Sequence, residues 1–244
     1  SQINANEIKF QINGNEFTDT DVILSLLESI PENINQEYTN EIIKKLNDSK
    51  LFSDVKISID QNKYIITVKE FPTINKIYYR NNERLKDEDL DIIASQLEIK
   101  NLNIISINSF INETKRLYES FGYNNIKIDY SSTIDESKNT ADLFFNFEEG
   151  GLTKIKQISF RGNNVVSSDE IKQLISSKTK SIRNILANNN FKPGIVEADK
   201  IIISNYYRNI GYLDNNIKTQ IEYLNENKVN IYFNIDEGKS YSIN

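Results

Sequence analysis

One plan is written three times along this chain, and that constrains its fold more than composition could. The first copy opens on Glu7-Ile-Lys-Phe-Gln-Ile-Asn-Gly14-Asn15, the second on Ile74-Asn-Lys-Ile-Tyr-Tyr-Arg-Asn81-Asn82 and the third on Ile155-Lys-Gln-Ile-Ser-Phe-Arg-Gly162-Asn163. Each opening is followed by two stretches of helical period and two of alternating period. The copies close on Val68-Lys69-Glu70, Phe147-Glu148-Glu149-Gly150 and Ile235-Asp236-Glu237-Gly238. A period of about 80 residues is too long for a thin solenoid, so each copy is expected to be a small domain with its own core. The expected domains are 1–71, 72–150 and 151–244. Units this small bury a modest share of their surface, so contacts between neighbours should add to their stability. A string of like modules presents surface to other macromolecules more readily than it encloses one reaction centre.

What is missing narrows the chemistry. The chain has no histidine and no cysteine. That excludes Ser-His-Asp and Cys-His catalysis, disulfides and the commonest zinc ligands, and no cofactor is expected. The 29 basic and 35 acidic residues are spread along the chain and sum to -6, which argues against a clustered basic face, so no nucleic-acid partner is expected. Short basic groups such as Lys44-Lys45 read as solvated helix faces. With a mean hydropathy of -0.52 and no long apolar run, no transmembrane helix is expected. Carboxylate catalysis stays open in principle, with Glu148-Glu149 and Asp236-Glu237 as candidate acids. A single active site would not be duplicated at corresponding ends of two copies, and strand-end charges are ordinarily solvated. The chain is therefore expected not to be an enzyme.

In the first copy a strand over Glu7–Asn13 turns at Gly14-Asn15, which calls for positive φ. Asp19 or Thr20 can cap a helix presenting Val22, Ile23, Leu26 and Leu27, limited by Pro31. A second helix over Gln36–Asp48 presents Tyr38, Ile42, Ile43 and Leu46. Val55, Ile57 and Ile59 then alternate on one strand and Tyr64, Ile66 and Val68 on the next, joined at Gln61-Asn62. The second copy predicts helices over Asp87–Leu97 and Ser109–Phe121, with a C-cap at Gly122-Tyr123. Its strands, Ile126–Tyr130 and Ala141–Phe147, are separated by a polar loop, Ser131–Asn139. Phe144, on the far face of its strand, is a candidate contact with a neighbouring domain or an ordinary exposed aromatic. The third copy places helices over Ser168–Ser176 and Glu197–Ile210, capped by Gly211-Tyr212, around an Asn-rich insertion, Lys178–Ile195, broken by Pro193-Gly194. Its strands carry Ile217–Tyr223 and Val229–Ile235. Phe71-Pro72 and Gly150-Gly151 are the expected hinges, the second being freer because Pro72 restricts the first.

The order strand-helix-helix-strand-strand dictates a topology. Two antiparallel helices return the chain so that strand three lies parallel to strand one and antiparallel to strand two. The result is an α+β fold of three tandem mixed sheets, with the third strand central and helices on one face. The second strand of each copy is then an edge with unpaired N–H and C=O groups, to which an extended peptide can add. Three edges are candidate partner-binding sites: Val55–Asp60 (Val55, Lys56, Ile57, Ser58), Ile126–Tyr130 (Ile126, Lys127, Ile128) and Asn216–Tyr223. The third is preferred. Asn216 opens it, Ile217, Thr219, Ile221 and Tyr223 share one face, and Lys218, Gln220 and Glu222 make the outward face polar. Edge charges can also serve merely to block aggregation.

Together these features resemble the POTRA (polypeptide-transport-associated) domain family. The likeness is carried by Leu51-Phe52-Ser53-Asp54-Val55 and by the junction Val68-Lys69-Glu70-Phe71-Pro72-Thr73-Ile74. In the third copy it rests on Phe160-Arg161-Gly162-Asn163, Tyr206-Tyr207-Arg208-Asn209-Ile210-Gly211-Tyr212 and Asp236-Glu237-Gly238. Asn81 departs from the family's usual glycine. Lys50 stands in the column of Gly122 and Gly211, so the first unit either caps its helix less favourably or turns differently there. The resemblance implies a periplasmic scaffold of an outer-membrane protein assembly machine. Such a scaffold receives unfolded outer-membrane proteins, docks accessory lipoproteins and is held at the outer membrane by its own C-terminal β-barrel. On this reading the chain is an N-terminal piece holding three of five domains. The alternative within the superfamily is the arm of a translocation and assembly module, which has three; a spacer without client contact is a further reading.

Overall fold

The computed structural model describes residues 7–180, 187–225 and 227–241. The first repeat comprises β1 (Lys9–Asn13), α1 (Thr20–Ser25), α2 (Gln36–Asp48), β2 (Phe52–Asp60) and β3 (Lys63–Glu70). The second comprises β4 (Thr73–Arg80), α3 (Asp87–Gln96), α4 (Ile104–Phe121), β5 (Lys127–Asp135) and β6 (Thr140–Glu148). The third comprises β7 (Lys154–Arg161), α5 (Ser168–Leu174), α6 (Pro193–Asn209), β8 (Asn216–Leu224) and β9 (Lys228–Asp236). The strands form three sheets of one order, β1-β3-β2, β4-β6-β5 and β7-β9-β8, an α+β architecture. β1 runs parallel to β3 and β2 antiparallel to it, and the third sheet repeats this. Among the described residues no helix is long and apolar enough to cross a membrane.

The alternation of each central strand builds the core. Tyr64, Ile66 and Val68 are buried on β3, Ala141, Leu143, Phe145 and Phe147 on β6, and Val229, Ile231, Phe233 and Ile235 on β9. α2 lays Tyr38, Ile42 and Leu46 over the first sheet, and α6 contributes Val196, Ile203 and Tyr207 to the core of the third. Each large apolar side chain so buried stabilises by roughly 1.5–3 kcal/mol. By compactness the chain falls into two units. One is Ser1–Arg80 with Glu88–Ile111 and Tyr130–Phe145; the other is Asn81–Asp87 with Asn112–Asp129 and Asn146–Asn244. The first unit holds the whole first sheet, the second holds the whole third, and the middle repeat contributes residues to both.

Several local expectations are corrected. α4 starts at Ile104, five residues earlier than the apolar spacing suggests, because the Asn103 side chain accepts from the N–H groups of Ile105 and Ser106. Ile104 and Ile105 are exposed, so that first turn carries no apolar stripe to read. Pro193-Gly194 does not break the insertion. Pro193 is the first residue of α6, where its missing N–H costs nothing. Ser131–Asp135, expected as loop, continues β5, whose residues past Ile128 are exposed on both faces and so show no alternation. α1 ends at Ser25, well before Pro31, with Ile23 and Leu27 buried but Val22 exposed, and Asp19 caps it without a side-chain bond. β1 begins at Lys9 and α5 ends at Leu174. Phe144 stacks within its own sheet on Tyr78, 4.9 Å between centroids, with the Arg80 guanidinium over its ring. Of the insertion Lys178–Ile195, residues 181–186 lie outside the described residues.

Two backbone columns repeat. After the first strand, Gly14, Asn81 and Gly162 all have positive φ (83°, 63° and 83°). A Cβ on Gly14 or Gly162 would lie 2.1 Å from the carbonyl oxygen of Val68 or Ile235, so close approach to the central strand as well as φ requires glycine there. After the second helix, Gly122 and Gly211 close Schellman caps: Gly122 N–H donates to Glu119 and Tyr123 N–H to Tyr118, and Gly211 and Tyr212 do the same to Arg208 and Tyr207. Lys50 keeps the left-handed geometry (φ 60°) and donates to Asn47. Leu51 N–H then bonds the Ser49 hydroxyl, so the first unit does turn differently.

Gly162→Ala should therefore lower stability by roughly 2–4 kcal/mol. Gly194→Ala, where an added Cβ meets nothing within 4 Å, should raise it by up to about 1 kcal/mol. Urea unfolding followed by circular dichroism checks both, and an unshifted midpoint for Gly162→Ala would contradict the close approach.

Candidate peptide-binding edge

Each closing glutamate is a structural staple. Glu70 accepts the N–H of Phe17, Glu149 that of Arg84 and Glu237 that of Val165, at 2.9, 2.8 and 2.8 Å. These amides lie in the loop after the first strand, so the carboxylate ties that loop to the end of the third strand. The asparagine after each turn completes the clamp. Asn15, Asn82 and Asn163 donate to the carbonyls of Thr18, Leu85 and Val166, and to side-chain oxygens of Thr20, Asp87 and Ser168. In the second and third copies a buried phenol joins: Tyr118 donates to Glu149 at 2.6 Å and Tyr207 to Glu237 at 2.9 Å. Leu46 occupies that column in the first copy, and one Glu70 carboxylate oxygen is buried without a partner among the described residues. Glu149 and Glu237, weighed above as acids, are thus engaged as acceptors. Their signal lay in the recurrence of a glutamate at the close of every copy, with the bonded amide three residues after each turn residue.

With the first and third strands clamped side by side, the second strand is left outermost. Two of the other edges, β4 and β7, are partly covered by the chain itself. Asn101 bridges to Thr73 at the start of β4, and Asn190 to Lys154 at the start of β7, where Phe191 N–H also donates to Thr153. Among the described residues no such segment pairs with β2, β5 or β8.

The three outer strands differ. On β2, Val55 and Ile57 are half-buried, while Lys56 and Ser58 are exposed, but the register slips between Phe52 and Asp54. On β5, Lys127 is exposed and Ile128 buried; Ile126 lies one residue before the strand, with its side chain buried. β8 pairs with β9 without interruption from Asn216 to Leu224. Its helix-side face carries buried Ile217, then Thr219, half-buried Ile221 and exposed Tyr223, whose ring meets Phe191 edge-on at 6.2 Å. Lys218 and Gln220 are exposed on the open face beside Asn216 at the strand's start. Glu222 is not a loose outward charge: it accepts from Asn230 at 2.8 Å and Tyr232 at 2.9 Å. These bonds, the Asn230 one first, hold its carboxyl below the usual range.

Burial, and then the bonded glutamate, push the phenols of Tyr118 and Tyr207 well above the usual tyrosine value of 10.0. Their contribution is whole below pH 10, where both folded and unfolded phenols are protonated. It is lost above that, because the unfolded chain releases its protons first. Urea midpoints should fall above about pH 10, and fall less in a Tyr118→Phe/Tyr207→Phe variant. That variant should already be weaker at neutral pH by roughly 1.5–3 kcal/mol per hydroxyl. Identical pH profiles for the two proteins would refute the assignment.

A model of the POTRA family, described as a surface antigen variable number repeat, matches residues 72–150 and 153–238. The chain is 25% identical over 238 residues to outer membrane protein assembly factor BamA of Neorickettsia risticii, covering 96% of this chain and 32% of that protein. It is 26% identical over 226 residues to BamA of Neisseria meningitidis, covering 89% and 28%. The chain thus spans about a third of the length of the curated relatives it matches. Among solved structures, the POTRA3-5 segment of BamA from Haemophilus influenzae aligns over 95% of this chain and 96% of that one, at 14% identity and a TM-score of 0.47.

Proposed function

This chain belongs to the POTRA family, and from that premise we propose that it is part of the periplasmic scaffold of an outer-membrane protein assembly machine. In this reading its modules, 1–71, 72–150 and 151–244, receive unfolded outer-membrane β-barrel proteins and dock accessory lipoproteins by strand addition. A β-barrel elsewhere in the parent protein anchors them at the outer membrane. β8 is the principal receiving edge. The observation that carries the proposal is its register, nine consecutive residues paired with β9 on one side and with no described segment on the other.

Main-chain pairing suits a receiver of many clients because it ignores sequence. It is also weak. Ordering five peptide residues costs roughly 5–10 kcal/mol in backbone entropy. Four or five net hydrogen bonds return roughly 2–7 kcal/mol. The remainder comes from side chains, and Ile221 and Tyr223 on the helix side of β8 offer apolar surface for it. Binding near balance allows clients to be handed on.

Ile221→Pro removes a backbone N–H and distorts the edge, and should weaken binding of an alternating Val/Thr peptide at least tenfold. Binding is compared for a variant whose circular dichroism and melting stay near wild type. A second arm leaves the protein intact and N-methylates alternate residues of the peptide, with the same loss expected. Undiminished binding in either arm rules this edge out.

A further inference from the structure

The open face beside β8 is not uniform in charge. Register sets Arg161, Asn234 and Lys218 in one row across the sheet, then Ser159, Tyr232 and Gln220, then Gln157, Asn230 and Glu222. A shallow cavity of about 350 Å³ lies at the first row, lined by Arg161, Asn216, Lys218, Asn234 and Asp236. The Arg161 guanidinium sits 4.4 Å over the Tyr232 ring. Neither Arg161 nor Lys218 has a carboxylate at ion-pair distance among the described residues. The carboxylate on the same rim, Asp236, accepts from the N–H of Gly238. At the other end of the strand Glu222 is pinned by Asn230 and Tyr232, so its negative charge is held in place. In a chain of net charge -6, this edge strand therefore presents one cation without a carboxylate partner, Lys218, near its start and a fixed anion, Glu222, four residues further on, on the same face.

We infer that β8 selects its client strand, and the register in which it binds, by charge. The favoured occupant is an extended peptide with a carboxylate on the open face across from Lys218, no carboxylate across from Glu222, and apolar side chains at the alternate positions over Ile221 and Tyr223. The inference rests on strand addition at β8 and deepens it by naming the peptide. Opposite charges facing across a strand pair favour binding about two- to fivefold, and like charges disfavour it by a similar factor. Arg161 lies two strands away, on β7 at the opposite edge of the sheet, where its guanidinium rests over the ring of Tyr232 and helps hold the charge of Glu222. Sliding the peptide by four residues moves its acid from the favourable end to the unfavourable one. The backbone alone cannot enforce a register; this charge pair can.

The test uses the whole chain and end-blocked eight-residue peptides of alternating Val and Thr, with Glu, Gln or Lys at one open-face position, titrated by fluorescence anisotropy at low and high salt. The Glu peptide should bind about three- to fivefold tighter than the Gln peptide at low salt and equally at high salt. Lys218→Gln should erase the difference between the Glu and Gln peptides. Lys218→Glu should invert the order in favour of the Lys peptide. A spin label at the peptide end should broaden amides near one end of β8 for the Glu peptide and spread over the strand for the Gln peptide. Equal binding of the Glu and Gln peptides, or a preference that survives Lys218→Gln, overturns charge selection and leaves strand addition standing. Failure of every peptide to bind overturns both.

Discussion

A hydrogen bond between the last glutamate of each repeat and an amide in the loop after its first strand closes the unit. Glu70, Glu149 and Glu237 reach Phe17, Arg84 and Val165 across more than fifty residues of chain, and so hold the first and third strands in one parallel pair. A parallel pair cannot be joined by a tight turn, so a helix pair must carry the chain back. With the centre taken by the third strand, the second has one neighbour and one open side. The edge that gives the molecule its proposed work is thus a consequence of how the unit closes.

Two outer strands, β4 and β7, show what an edge looks like when the protein covers it. Asn101 and Asn190 lie against the starts of β4 and β7, returning from the segments between helices. β8 is long, regular and uncovered by the described residues, yet it is not flat or apolar: Lys218, Gln220 and the pinned Glu222 line its open face. Polar edges oppose indiscriminate association while leaving the backbone available. The same charges can then discriminate among strands that do arrive.

Much of this architecture was legible from the chain. The triple recurrence of glycine or asparagine after the first strand, the Gly-Tyr caps and the strict alternation over Tyr64–Val68 and Val229–Ile235 located the turns, helix ends and central strands. Errors fell where local pattern and burial part company. Ile104 and Ile105 begin a helix but face solvent, Ser131–Asp135 form a strand with both faces wet, and Pro193 starts a helix where proline usually signals a stop. Ile126 lies one residue before β5, with its side chain in the core.

The sequence by itself determined the repeat, the order of elements and hence the sheet topology, because period and turn chemistry are local and three copies vote together. Only the tertiary structure decided which carboxylates are tied down. Glu149, Glu237 and Glu222 depend on partners from eight to seventy-two positions away, and no local pattern records a hydrogen bond across such a gap. The pairing of Arg161 and Lys218 across Asn234 is likewise a product of register, set by strands that meet only when the whole unit has folded.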